Sequence, residues 1–112
     1  MNSMVDWSRV KDLRSEVGSD DFEEVIAMFL EETDAVIAGI TKAKSTKSLE
    51  SELHFLKGSA LNIGLASFAR LCQQGEKAAS SGILSVDLDE IVQAYWRSRN
   101  DLLAQLSSQV AA

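Results

Sequence analysis

Apolar residues recur three and four positions apart along almost the whole chain, and no proline interrupts them in 112 residues. That spacing is the signature of amphipathic helices, and a chain without proline can run them long. No stretch of useful length alternates with the period of two that a strand requires. The loops must be built from glycine, serine and aspartate. Hydrophobic residues make up 46% of the chain, enough to cover one modest core at this length. The chain therefore reads as one domain, residues 1–112.

Five helical segments are predicted. The first spans about residues 5–17, with Val10, Leu13 and Val17 on one stripe and Gly18 as its stop. The second starts at Asp20 with Glu23 as a capping-box partner, and its inward positions are Phe22, Ile26, Phe29, Val36, Ile37 and Ile40. The third spans about residues 48–63 around Leu49, Leu53, Leu56, Ala60 and Ile63. Gly64 punctuates, and the fourth follows over 65–80 with Phe68, Leu71, Cys72, Gly75 and Ala79 inward. The fifth opens at Asp87 with Glu90 as its box partner, and has an apolar face from Leu88 and Ile91 to Leu106. Four amphipathic helices with short connections imply an all-α fold, an antiparallel four-helix bundle, with the short first helix as an N-terminal addition.

Charge and composition exclude several classes. A net charge of −6 argues against a nucleic-acid partner, since phosphate backbones attract basic patches. No apolar run approaches the roughly 20 residues of a membrane span, and the first dozen residues lack the apolar stretch of a signal peptide. The single cysteine allows no internal disulfide. A cytoplasmic monomer is the expectation.

The only histidine sits on the wrong side of its helix to be a core residue. At ~100° per residue, His54 lies about 140° from the centre of the third helix's apolar stripe and should face solvent. Lys57 and Gly58 follow one turn later on that side, and Leu61 a turn after them. A glycine inside a helix costs about 0.5–1 kcal/mol relative to alanine, which is explained if something must approach the backbone beside His54. A neutral, exposed imidazole is a good nucleophile toward an activated phosphoryl group. Lys57 can offset the charge that such a group brings.

Other chemistries fit poorly. A diiron bundle needs two Glu-x-x-His motifs, and there is one histidine. Glu50 and His54 are one turn apart, but two ligands do not make a zinc site. Cys72 lies in an apolar stripe and reads as a small core residue. A binding-only adaptor would have little reason to keep both His54 and Lys57.

The run His54-Phe55-Leu56-Lys57-Gly58-Ser59-Ala60, then Ile63-Gly64-Leu65, then Leu71-Cys72 and Glu76, resembles the histidine phosphotransfer family. The pattern is a histidine, lysine three later, glycine four later, a small residue next, and a Gly-Leu turn about ten later. The likeness covers roughly residues 5–106. Leu53 departs from it, since alanine is frequent before the histidine, and the 45–48 break is serine-rich rather than acidic. The resemblance implies that His54 accepts phosphate from, and returns it to, the aspartate of receiver domains in a two-component phosphorelay fed by a sensor or hybrid histidine kinase. It implies no kinase activity and no cofactor or metal of the chain's own, the Mg²⁺ being supplied by the receiver. Glu76, about 70° off the core centre of the fourth helix, takes the position from which family members face the histidine.

A docking surface around His54 is expected to include Ser51, Gly58 and Leu61. Met28 on the second helix projects about 120° from that helix's stripe and is apolar. Leu13 and Val10 of the first helix are candidates to complete the patch. Arg99 falls on the apolar face of the fifth helix, where it must snorkel or pair with an acid. Trp7 and Trp96 are expected at the bundle edge.

Overall fold

The computed structural model describes residues 4–42, 45–83 and 85–111, with side chains described as far as 107. It is all-helical: α1 (Trp7–Val17), α2 (Ser19–Gly39), α3 (Thr46–Ile63), α4 (Ala66–Ser80) and α5 (Leu88–Ala111), with a 3₁₀ turn, Ile40–Lys42, ending the second helix. No strand occurs among the described residues.

Local chemistry sets most of the boundaries. Asp6 caps α1 by accepting from the Arg9 amide at 3.2 Å. The Ser45 hydroxyl accepts from the Ser48 amide at 3.1 Å and starts α3 two residues earlier than its apolar pattern indicates. Asp87 accepts from the Glu90 amide at 3.0 Å ahead of α5. Each satisfies an amide that the first helical turn leaves unpaired.

The capping box expected at Asp20 does not form. Gly18, at φ 88°, closes α1 through its amide to the Arg14 carbonyl and also precedes α2, which begins at Ser19 with no side-chain cap. One glycine in a conformation that L residues avoid makes the whole connection, so Asp20 is already inside the helix.

α3 and α4 form a hairpin through Gly64 and Leu65. Gly64 is left-handed, φ 82°, and a Cβ there would sit 2.8 Å from the Asp6 carbonyl oxygen. The Gly64 carbonyl in turn accepts from the Asp6 amide at 2.7 Å. The start of α1 is thereby seated on the α3–α4 turn, and Arg9 reinforces it by donating to the Asn62 carbonyl at 3.0 Å.

The core stripe of α3 is as expected, with Leu49, Leu53, Leu56, Ala60 and Ile63 all buried. On α2 the buried line is Phe22, Ile26, Leu30, Thr33 and Ile37, while Phe29 and Val36 are only partly covered. The helix is apolar on several sides, so more than one stripe fits a helical period, and packing selects the one through Leu30. Thr33 is tolerated there because its hydroxyl donates to the Phe29 carbonyl at 2.6 Å. Leu13 and Val10 belong to the core, 5% and 4% exposed. Neither is open to a partner, because an 11-residue helix too short to be stable alone docks by burying its apolar side.

Candidate functional site

The departure at Leu53 has a packing reason. Leu53 is fully buried, and its Cδ1 lies 2.9 Å from where a Cβ on Gly75 would stand. A large residue on α3 fills the notch left by a glycine on α4, so the two helices approach closely at this level. The next residue on each helix is His54 and Glu76. Close packing of the apolar pair thus sets the separation of the polar one.

His54 and Glu76 meet, as the resemblance implied. The His54 Nδ1 is 2.7 Å from Glu76 Oε1, and the His54 side chain is 70% exposed while that of Glu76 is 18% exposed. The other carboxylate oxygen, Oε2, accepts from the Lys57 ammonium at 2.8 Å. The Lys57 hydrogen bond holds the Glu76 carboxyl below the usual carboxylate range; burial opposes this, and the bond to His54 adds to it. An ionised carboxylate can only accept. Nδ1 must therefore carry a proton and donate it to Glu76, which leaves the lone pair of a neutral ring on Nε2.

Lys57, expected beside His54 as a charge that could offset a phosphoryl group, is engaged with Glu76, and its side chain is 24% exposed. Gly58 is exposed, and a Cβ there would meet nothing within 4 Å. Nothing in the fold requires glycine at this position, so its absent side chain is felt only by what comes from outside.

Ser51 and Leu61 are exposed as expected, Leu61 by 55%, and Met28 is 57% exposed. Sequence reasoning missed Phe55, which is 40% exposed and about 120° from the α3 stripe centre on the same helical wheel that located His54. The signal is on the wheel: Phe55 lies about 100° from His54, on the other flank of the outward face. Glu52 faces the other way, about 160° from His54, and burial raises its carboxyl above the usual range.

Cys72 is buried, and burial pushes its thiol up to about 12, with Glu76 adding to the shift and Lys57 opposing it. A thiol held neutral is no nucleophile. The described residues contain no cluster of three or more His, Cys, Asp or Glu side chains able to hold a metal ion. No described helix is long and apolar enough to cross a membrane.

The site is thus an outward-facing histidine on one helix, oriented by a carboxylate on the neighbouring helix. Residues 24–111 match the Hpt domain family, and the chain belongs to it. Histidine phosphotransfer within phosphorelays is the function this family carries. No curated protein and no solved structure shows significant similarity to the chain.

Proposed function

We propose that this Hpt domain is a phosphoryl carrier that takes phosphate on Nε2 of His54 and exchanges it with the aspartate of receiver domains. The single observation that carries the reading is the Nδ1 bond to Glu76 on a side chain that is 70% exposed. It leaves one nitrogen proton-bearing and held, and the other basic and open.

The scaffold is read as one domain in which α2, α3, α4 and α5 form an antiparallel four-helix bundle and α1 is a short addition. In transfer, the Nε2 lone pair attacks the phosphorus of an aspartyl phosphate. The N–P bond forms as the P–O bond to the acyl oxygen breaks, and the aspartate leaves as a carboxylate. The ring becomes a cation, since Nδ1 keeps its proton, and Glu76 stands 2.7 Å away to stabilise that charge. Reversal returns phosphate to a receiver. Lys57 keeps Glu76 ionised in the resting protein, and its ammonium adds positive charge beside the arriving phosphoryl group.

The chain supplies no kinase chemistry and no cofactor in this reading. Mg²⁺ comes with the receiver, and a sensor or hybrid kinase feeds the relay. The docking face is built from Ser51, Phe55, Gly58 and Leu61 on α3, with Met28 of α2 as a further apolar contact, and the protein works as a cytoplasmic monomer.

Incubation with a phosphorylated receiver tests the proposal. The wild-type chain should gain acid-labile, alkali-stable phosphate, and His54→Gln should gain none while keeping its helicity and melting temperature, because an exposed side chain contributes little to the core. Acid-labile phosphate on the variant would sink the assignment.

A further inference from the structure

A second recognition surface lies away from the histidine. A solvent-open groove of about 660 Å³ runs between α2 and α5, and none of its lining residues comes from α3 or α4. Ile26, Leu30, Leu103 and Leu106 line its apolar interior. Ala27 leaves the α2 wall low, and the Asp34–Arg99 pair forms part of the lining.

The charge around this groove is one-sided. Helix α2 has acidic residues at 20, 21, 23, 24, 31, 32 and 34 and no lysine or arginine, so this one helix more than accounts for the net charge of −6. Glu23 and Glu31 line the groove and are exposed. They stand eight residues apart, about 12 Å or two helical turns. Arg99, the one basic residue in the lining, is neutralised by two 3.0 Å bonds to Asp34.

We propose that the α2–α5 groove docks a cationic amphipathic helix of a partner protein, separately from phosphotransfer at His54. Leucine-like side chains of that helix enter between Ala27 and Leu103, and lysines or arginines two turns apart meet Glu23 and Glu31. Grooves between two helices take a third helix by its apolar face, and opposite charges at the rim speed the encounter and set its register. A second copy of this chain is a poor occupant: it would bring α2 against another α2, or against α5, which has acids at 89, 90 and 101 to set against Arg97 and Arg99. With the groove filled, His54 stays open, so such a partner could hold the carrier while a receiver exchanges phosphate with it.

The test uses the full chain and an 18-residue amphipathic helical peptide of leucine and lysine, with its leucine–glutamate counterpart as control. Titration followed by backbone amide NMR should move resonances of α2 and α5 and leave the His54 ring signals in place, and only the lysine peptide should bind. Ala27→Trp, which fills the groove without changing charge, should weaken binding at least ten-fold. Glu23→Lys with Glu31→Lys should do the same, whereas Glu24→Lys with Glu32→Lys, outside the lining, should cost no more than about two-fold; circular dichroism establishes that each variant is folded. Shifts centred on α3 and α4, equal binding of the acidic peptide, or equal loss from the two double variants would each overturn the proposal. So would concentration-dependent shifts on α2 and α5 without peptide, which would make a second copy the occupant.

Discussion

Two carboxylates in this molecule each hold two donors across a pair of helices, Glu76 between α3 and α4 and Asp34 between α2 and α5. Glu76 accepts from His54 and Lys57. Asp34 accepts from the Tyr95 hydroxyl and, through both oxygens, from Arg99 at 3.0 Å. The bonding pattern is nearly the same and the surroundings are opposite. Tyr95 is fully buried, lies against Phe68 at 5.0 Å and Trp96 at 5.1 Å, and its hydroxyl is held well above the usual phenol range, by burial first and then by Asp34. The Arg99 guanidinium lies over the Trp96 ring, 5.4 Å from its centroid. Tyr95 and Arg99 are both turned onto the carboxylate, and neither offers a nucleophile. At Glu76 the imidazole has a second nitrogen, and the ring projects into solvent. One cluster fastens helices; the other uses the same fastening to orient an exposed imidazole.

The comparison is broken most visibly at Asp34. Asp34→Ala leaves the buried Tyr95 hydroxyl with only the Leu30 carbonyl at 3.5 Å and strips a largely covered guanidinium of its acid. The loss should be about 2 kcal/mol, reduced from that of a fully buried pair because the Asp34 and Arg99 side chains keep 30% and 24% exposure. Thermal melting should fall by on the order of 5–10 °C, while His54 still accepts phosphate. Loss of phosphorylation in a folded Asp34→Ala protein would show that the two clusters are coupled.

Lys57→Ala probes the other carboxylate. Removing the ammonium frees the Glu76 carboxylate to turn and withdraws positive charge from the phosphoryl site. Transfer should slow about ten-fold, equivalent to ~1.4 kcal/mol, with melting changed by less than in Asp34→Ala. Single-turnover transfer from a phosphorylated receiver measures it, and equal rates would reduce Lys57 to a surface charge.

The smallest effects separate two glycines. Gly58→Ala meets open space and should raise stability by about 0.5–1 kcal/mol through helix propensity, yet slow transfer by obstructing the partner. Gly75→Ala would press on Leu53, Val86 and Ile91 and should destabilise by about 1 kcal/mol, at the low end for overpacking, since flexible side-chain ends can shift. Urea melts of both variants measure this, and a destabilised Gly58→Ala would mean that the helix itself needs the glycine.

The histidine's exposure was legible because α3 has one unambiguous stripe, and five apolar positions define its centre. The same wheel misjudged α2, where Phe29 and Val36 competed with Leu30 and Thr33 on a helix apolar on several sides. For Arg99 the wheel indicated an acid partner but could not choose Asp34, 65 residues away. The stripe that holds Leu13 does not by itself say whether a short helix docks inward or offers that side to a partner; the structure buries it.

Periodicity, the absence of proline and the polar residues before α1, α3 and α5 are properties of neighbours along the chain, and they were sufficient for the helices and for the outward turn of His54. The tautomer of that histidine, the engagement of Lys57, the burial of Leu13 and the groove beside α2 depend on which helix faces which. Side-chain contacts across helices form only where apolar surfaces can interlock, and here that was decided by fits such as Leu53 into the notch at Gly75.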